Sequence, residues 1–177
     1  MQAIKPLLKK ISWILLFVFL LLLAKVILFK NSPHYYKNYF SNTYHSYKID
    51  EGIKKANFKP FATIKMFYAS RKLNLEYKME NLLGNIIAFI PLGFLLPLLV
   101  RRLRYFFVIL LIGFSLSLFF ELTQLVTGIG IFDVDDIILN TSGAVIGFVT
   151  FVVIKKLFPN KPAGESINKI TPASMPD

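Results

Sequence analysis

No cysteine occurs in the 177 residues, and the only histidines are His34 and His45. Disulfides, thiol nucleophiles, Cys-ligated zinc and iron–sulfur clusters are thereby excluded, which leaves carboxylates, amides, hydroxyls and cations to carry any chemistry. Charge is scarce as well, at 18% of residues, where soluble chains run near about a quarter. Tryptophan appears once. What is abundant is hydrocarbon: 55% of residues are hydrophobic, including 18 Phe, and the mean hydropathy is +0.56. The expected solvent for most of such a chain is lipid. The charge that remains is one-sided, with 21 Lys and Arg against 10 Asp and Glu and a net +11. In a membrane protein this excess sits in flanks and loops facing lipid headgroups, so membrane lipids are the expected partners and nucleic acid is not.

A spanning helix needs about 20 predominantly apolar residues. Such runs occupy 11–29, 81–100, 105–126 and 137–158. They predict an all-α membrane protein, a polytopic bundle of four transmembrane helices with one larger extracytoplasmic loop at 30–80. Residues 1–10 form a short N-terminus, and 159–177, turning to Pro, Lys, Gly and Ser, reads as a disordered cytoplasmic tail. The first run follows Lys5, Lys9 and Lys10 as a secretory signal would, but Leu22 stands where cleavage after Ala24 wants a small residue. It is expected to stay as an anchor. Within about 15 residues of the span ends, the side holding both termini carries ten Lys and Arg and the other side five. Arg101, Arg102 and Arg104 bunch in one short loop, while 127–136 has three Asp and no Lys or Arg. Both termini are therefore expected in the cytoplasm. Five tyrosines, Tyr35, Tyr36, Tyr39, Tyr44 and Tyr47, open the long loop and read as interfacial anchors or packing for a small external cap.

Polar side chains inside hydrocarbon are costly, so their positions carry information. Asn81 and Asn85 lie four apart on one face of the second span, and Ser117, Glu121 and Gln124 share a face of the third. Asp136, Asn140, Gly143 and Gly147 form one stripe of the fourth. At about 1.5 Å per residue, Asn85, Glu121 and Asn140 each lie roughly 5 to 8 Å below the outer interface. With Asp133, Asp135 and Asp136 above them, the expectation is an acidic, amide-rich pocket opening outward. Asn81, Asn85, Gln124, Asp133, Asp135, Asp136 and Asn140 are the candidate ligand-binding residues. Two readings stay open for them. Amides in helices often only hydrogen-bond across a bundle, and Asp133 and Asp136 suit the cap of the fourth span. Glu121 stands apart, because a carboxyl at that depth needs a partner or a shared proton, which is also the arrangement of a general acid or base. It is the candidate catalytic residue. Asp133, Asp135 and Asp136 are the candidate metal ligands if a metal binds, although a hard cation wants about six oxygens; no cofactor is identified. Pro91, Gly93 and Pro97 are expected to kink the second span, as a hinge or as packing.

The stretches 57–64 (NFKPFATI), 81–97 (NLLGNIIAFIPLGFLLP), 115–124 (SLSLFFELTQ) and 132–147 (FDVDDIILNTSGAVIG) follow one another as in the VanZ-like family of bacterial membrane proteins. The resemblance covers roughly residues 57–150, with Asn85, Pro91, Gly93, Glu121, Gln124, Asp133, Asp136, Asn140 and Gly143 matching its pattern. It implies a multi-pass protein of the bacterial cell membrane, in a family named for a member associated with low-level resistance to the glycopeptide teicoplanin. It supplies no reaction. One departure stands out: many members place an Arg just before the Phe-Asp pair, where this chain has Gly130. The acidic loop is thus expected to lack its cation, and Asp133 a partner.

Two functions of different kinds are expected to compete. In the first, the outward pocket binds or alters a lipid headgroup, a lipid-linked cell-wall precursor or the amphiphilic glycopeptide itself, and so reduces susceptibility to glycopeptides of the teicoplanin type. In the alternative, the protein is an intramembrane enzyme acting on a lipid-linked substrate. Glu121 is then the general acid or base, and the loop of Asp133, Asp135 and Asp136 the cation or water site.

Overall fold

The computed structural model describes residues 4–30, 33–41, 45–70 and 74–158. The expected disordered tail at 159–177 lies outside them, as do Tyr44, Arg71 and Lys72. Apart from an isolated bridge between Asn57 and Asp133, the regular structure of the described residues is helical: α1 (Ile4–Leu28), α2 (Pro33–Ser41), α3 (His45–Lys55), α4 (Ala62–Ala69), α5 (Leu75–Leu99), α6 (Phe106–Thr127) and α7 (Val134–Leu157). The four long apolar runs appear as α1, α5, α6 and α7, each long and apolar enough to cross a membrane. The long loop is more than a tether. It folds into α2, α3 and α4, short helices that carry no long apolar run.

α5 and α7 form the most extensive pairing, α6 packs on α7, and α1 lies more loosely against α5 and α6. Small residues permit the central pairing. A Cβ on Gly143 would stand 2.1 Å from the carbonyl oxygen of Ile86, one on Gly147 2.0 Å from that of Ile90, and one on Gly93 1.8 Å from that of Ala144. Backbone thus meets backbone along the seam, where dispersion and weak Cα–H···O contacts replace the hydrophobic drive that lipid cannot supply. The expected kink does not break α5, which remains helical through Pro91 and Pro97. The core above and below the seam is built from Leu23, Ile27, Phe89, Leu92, Ile109, Phe120, Phe148 and Phe151. Leu16, Leu23 and Ile27 are the buried stripe of α1, while Ile14, Leu15, Phe17, Leu21 and Leu22 are exposed and face the acyl phase.

The two ends of the bundle differ. At one, Arg104 donates from Nε to the carbonyl of Pro97 at 2.9 Å and stands 5.6 Å over the Phe151 ring. At the other, α2 caps open helix ends: Tyr36 donates to the carbonyl of Leu28 and Tyr35 to that of Gly128, both at 3.3 Å, and Tyr39 donates to Thr127. Carbonyls at a helix C-terminus have no partner of their own, so these tyrosines supply donors that the chain cannot. Of the five tyrosines, Tyr35, Tyr36 and Tyr39 therefore pack as a cap over these helix ends.

Candidate functional site

The acidic loop between α6 and α7 is held by the segment at 57–64. Asn57 N–H donates to the carbonyl of Phe132 at 2.9 Å, and Val134 N–H donates back to that of Asn57 at 3.0 Å. The Asp133 carboxylate accepts from Asn57 Nδ2 at 2.8 Å, from Thr63 Oγ1 at 2.5 Å and from its own helix, the Asp135 N–H, at 2.9 Å. The last bond caps α7, and the acidic first turn also suits the positive end of the helix dipole. Asp135 is fully buried and works in the opposite direction, accepting from Phe61 N–H and, at 3.1 Å, from Ile64 N–H. It thereby serves the free N–H groups at the start of α4. Phe61 itself has φ 65, a left-handed conformation that a non-glycine residue adopts only when its surroundings impose it.

The expectation that Asp133 has no partner is thus overturned, and so is the expected lack of a cation. Lys30, just beyond α1, reaches Asp136 Oδ2 at 2.5 Å, and Asn85 Nδ2 donates to Asp136 Oδ1 at 2.5 Å. Gly130 has a packing reason as well, since a Cβ there would stand 2.8 Å from the Gln124 side chain. The three aspartates serve three separate donor sets: the 57–63 segment, the start of α4, and Lys30 with Asn85. Among the described residues, no group of three His, Cys, Asp or Glu side chains gathers as a metal site.

Below this layer the polar stripes of the spans turn inward, with Asn85, Ser117, Glu121, Gln124 and Asn140 all buried. Their bonds run to different partners. Asn140 Nδ2 donates to Ser117 Oγ at 2.9 Å, Gln124 Nε2 to the carbonyl of Ile27 at 2.8 Å, and Glu121 Oε2 accepts the Asp133 N–H at 2.8 Å. Glu121 therefore braces the acidic loop through its backbone and not through the amides of Asn85 or Asn140. Its second oxygen, Oε1, is buried with no hydrogen-bond partner, as is Asn140 Oδ1.

A cleft of about 990 Å³ opens at this end of the bundle, between α1, α3, α4, α5 and the α6–α7 loop. Of the candidate ligand-binding residues, Asn81, Asn85, Gln124, Asp133 and Asp136 line it. Asp135, Asn140 and Glu121 do not; all three are fully buried. Lys30, Glu51, Lys55, Asn57 and Thr63 also line the walls. None of these was singled out as a site residue from sequence, although 57–64 stood out as a motif. The remaining wall is apolar, from Val26 and Leu28 of α1, Met66 and Phe67 of α4, Leu82 of α5 and Leu139 of α7.

The family model described as VanZ/LLP1 matches residues 16–155, a range that holds most of α1, all of α5 and α6, and α7 to near its end. Protein VanZ of Enterococcus faecium is 32% identical over 96 residues, which is 50% of this chain and 58% of that protein. The chain therefore matches less than two thirds of that relative's length. No solved structure matches. With four spans and a family match over most of its length, the chain is a bacterial membrane protein that belongs to the VanZ/LLP1 family.

Proposed function

We propose that the protein binds a lipid-anchored component of the bacterial envelope in the cleft, and that this binding lowers susceptibility to amphiphilic glycopeptides of the teicoplanin type. In this reading both termini are cytoplasmic and the cleft faces outward, as the clustering of Arg101, Arg102 and Arg104 at the other end of the bundle suggests. The supporting observation is the make-up of the walls. The walls offer amides and charges (Lys30, Asn81, Asn85, Asp136) together with aliphatic and aromatic side chains (Val26, Leu28, Phe67, Leu139), a mixture that suits a molecule with a polar head and an apolar tail. A volume of about 990 Å³ suits a headgroup with the first part of its chains. The resistance reading draws on the family and on the relative named Protein VanZ.

An intramembrane enzyme with Glu121 as general acid or base has one observation in its favour, the unpartnered oxygen Oε1. It weighs less because Glu121 is fully buried, does not line the cleft, and has its other oxygen engaged by the loop. The cleft reading is tested by expressing the chain in a susceptible host and measuring the growth-inhibiting concentration of teicoplanin. A rise with the native chain that is lost with Asn85→Leu, while a glycopeptide without a lipid tail is unaffected, supports it. No rise, or a rise that survives Asn85→Leu at equal protein level, removes it.

A further inference from the structure

The charges in the cleft come in balanced pairs. Lys30 Nζ meets Asp136 Oδ2 at 2.5 Å and Lys55 Nζ meets Glu51 Oε1 at 2.6 Å, and all four residues line the cleft. The fifth charge, Asp133, is consumed by three hydrogen bonds from Asn57, Thr63 and the Asp135 N–H. A ligand with only negative charge would gain Lys30 and Lys55 while bringing itself against Asp136 and Glu51. A ligand with an ammonium beyond its phosphate can engage each pair at both ends, so neither charge of the wall is stripped of its partner. Side-chain exposure of 31% for Lys30 and 18% for Asp136 leaves both reachable.

One part of the lining is exposed on the side of the bundle. Val26 on α1, Gly84 on α5 and Met66 on α4 line the cleft and are exposed, and Val26 and Gly84 lie within the apolar spans. Nothing stands within 4 Å of where a Cβ on Gly84 would be. α1 packs more loosely on the bundle than α6 and α7 do. Because exposed Val26 and Gly84 lie in the end turns of their spans, this side of the cleft borders acyl chains.

Resting on the reading of the cleft as an amphiphile site, we propose that its occupant is an aminophospholipid, a lipid with phosphate and ammonium in one headgroup, admitted sideways from the bilayer between α1 and α5. The phosphate lies toward Lys30 and Lys55, the ammonium toward Asp136 and Glu51, and the chains leave past Val26 and Gly84. Phosphoethanolamine and aminoacylated phosphoglycerol are two headgroups of this chemistry.

The test is native mass spectrometry of the purified full chain with equal amounts of phosphatidylethanolamine, lysyl-phosphatidylglycerol and phosphatidylglycerol. Retention of at least one of the first two about tenfold above phosphatidylglycerol, about 1.4 kcal/mol, is the expected result, and which one is retained names the source. Asp136→Asn, close to isosteric, should abolish the preference. Gly84→Leu should lower retention of every lipid, with Gly84→Ala close to native and helical content of all variants checked by circular dichroism. Equal or stronger retention of phosphatidylglycerol overturns the headgroup assignment and leaves the amphiphile reading standing. Preference retained in Asp136→Asn overturns the placement of the ammonium. Retention unchanged in folded Gly84→Leu overturns the side entry, and no lipid retained by the native chain overturns both this proposal and the reading beneath it.

Discussion

Lys30 and Asp136, separated by 106 positions, meet at 2.5 Å in the wall of the cleft. The pair ties the end of α1, the span packed most loosely, to the first turn of α7. Removing the cation leaves a carboxylate that is mostly buried and bonded only to the Asn85 amide. Exposed pairs are worth at most about 1 kcal/mol, and breaking a fully buried one costs about 3–5 kcal/mol. For this half-buried pair we predict that Lys30→Gln lowers stability by about 1–3 kcal/mol, read by thermal unfolding in detergent. Adding Asp136→Asn should recover most of the loss, because no uncompensated charge then remains. A double variant as unstable as the single one would mean that the pair is not what joins these helices.

The α5–α7 seam yields a sharper contrast. Gly143→Ala places a methyl where the Ile86 carbonyl already stands, at 2.1 Å, and backbone cannot turn aside as a side chain can. Overpacking of this kind costs about 1–3 kcal/mol. Gly84→Ala, on the same α5 but facing open space, should change stability by no more than about 0.5 kcal/mol. Unfolding of the two variants side by side checks this, and equal effects would remove the close-packed seam.

Phe61 offers the opposite sign. It is half exposed, so little burial is lost on truncation, and its φ of 65 suits glycine. Phe61→Gly should be neutral or stabilising by up to about 1 kcal/mol, whereas Asp135→Ala, which strips the acceptor from Phe61 N–H and Ile64 N–H, should cost about 1–3 kcal/mol. Protease resistance of the 57–70 segment reads both, and a destabilised Phe61→Gly with an unaffected Asp135→Ala would contradict the clamp.

How far these features were legible in the sequence follows from their physical range. The four spans were readable because twenty apolar residues in a row have one explanation, and the inward turn of Asn85, Glu121, Gln124 and Asn140 was readable from helical spacing. Their partners were not. Lys30 finds Asp136, and Asn57 finds Asp133, only after α1, α5, α6 and α7 have set the loops side by side, and no periodicity encodes such pairs. The absence of an Arg at position 130 pointed to a loop without a cation, when the cation came from another helix end. Glu121 was legible as an unusual buried carboxyl, but its tie to a backbone N–H was not, because main-chain donors leave no mark in a sequence.

Glu121 separates a brace from a chemical group. Glu121→Gln keeps an acceptor for the Asp133 N–H, while Glu121→Leu leaves that donor buried and unpaired at about 1–3 kcal/mol. We predict near-native unfolding for the Gln variant and a clear loss for Leu. If the carboxyl only braces the loop, teicoplanin susceptibility follows stability and the Gln variant keeps its effect. A folded Glu121→Gln without any effect would instead favour the acid–base alternative.

The orientation can be settled without disturbing the fold, because the chain has no native cysteine. Ile131 lies in the acidic loop beside the cleft and is 48% exposed, and Arg102 is exposed in the short turn at the opposite end. Lys and Arg near span ends are retained on the cytoplasmic side, and Arg101, Arg102 and Arg104 cluster in that short turn, whereas 127–136 holds only acidic charge. Ile131→Cys should therefore react with a membrane-impermeant thiol reagent in intact cells, and Arg102→Cys only after permeabilisation. The reverse pattern would turn the cleft toward the cytoplasm. It would then be out of reach of an external glycopeptide, and the resistance reading would fall even if the cleft binds lipid.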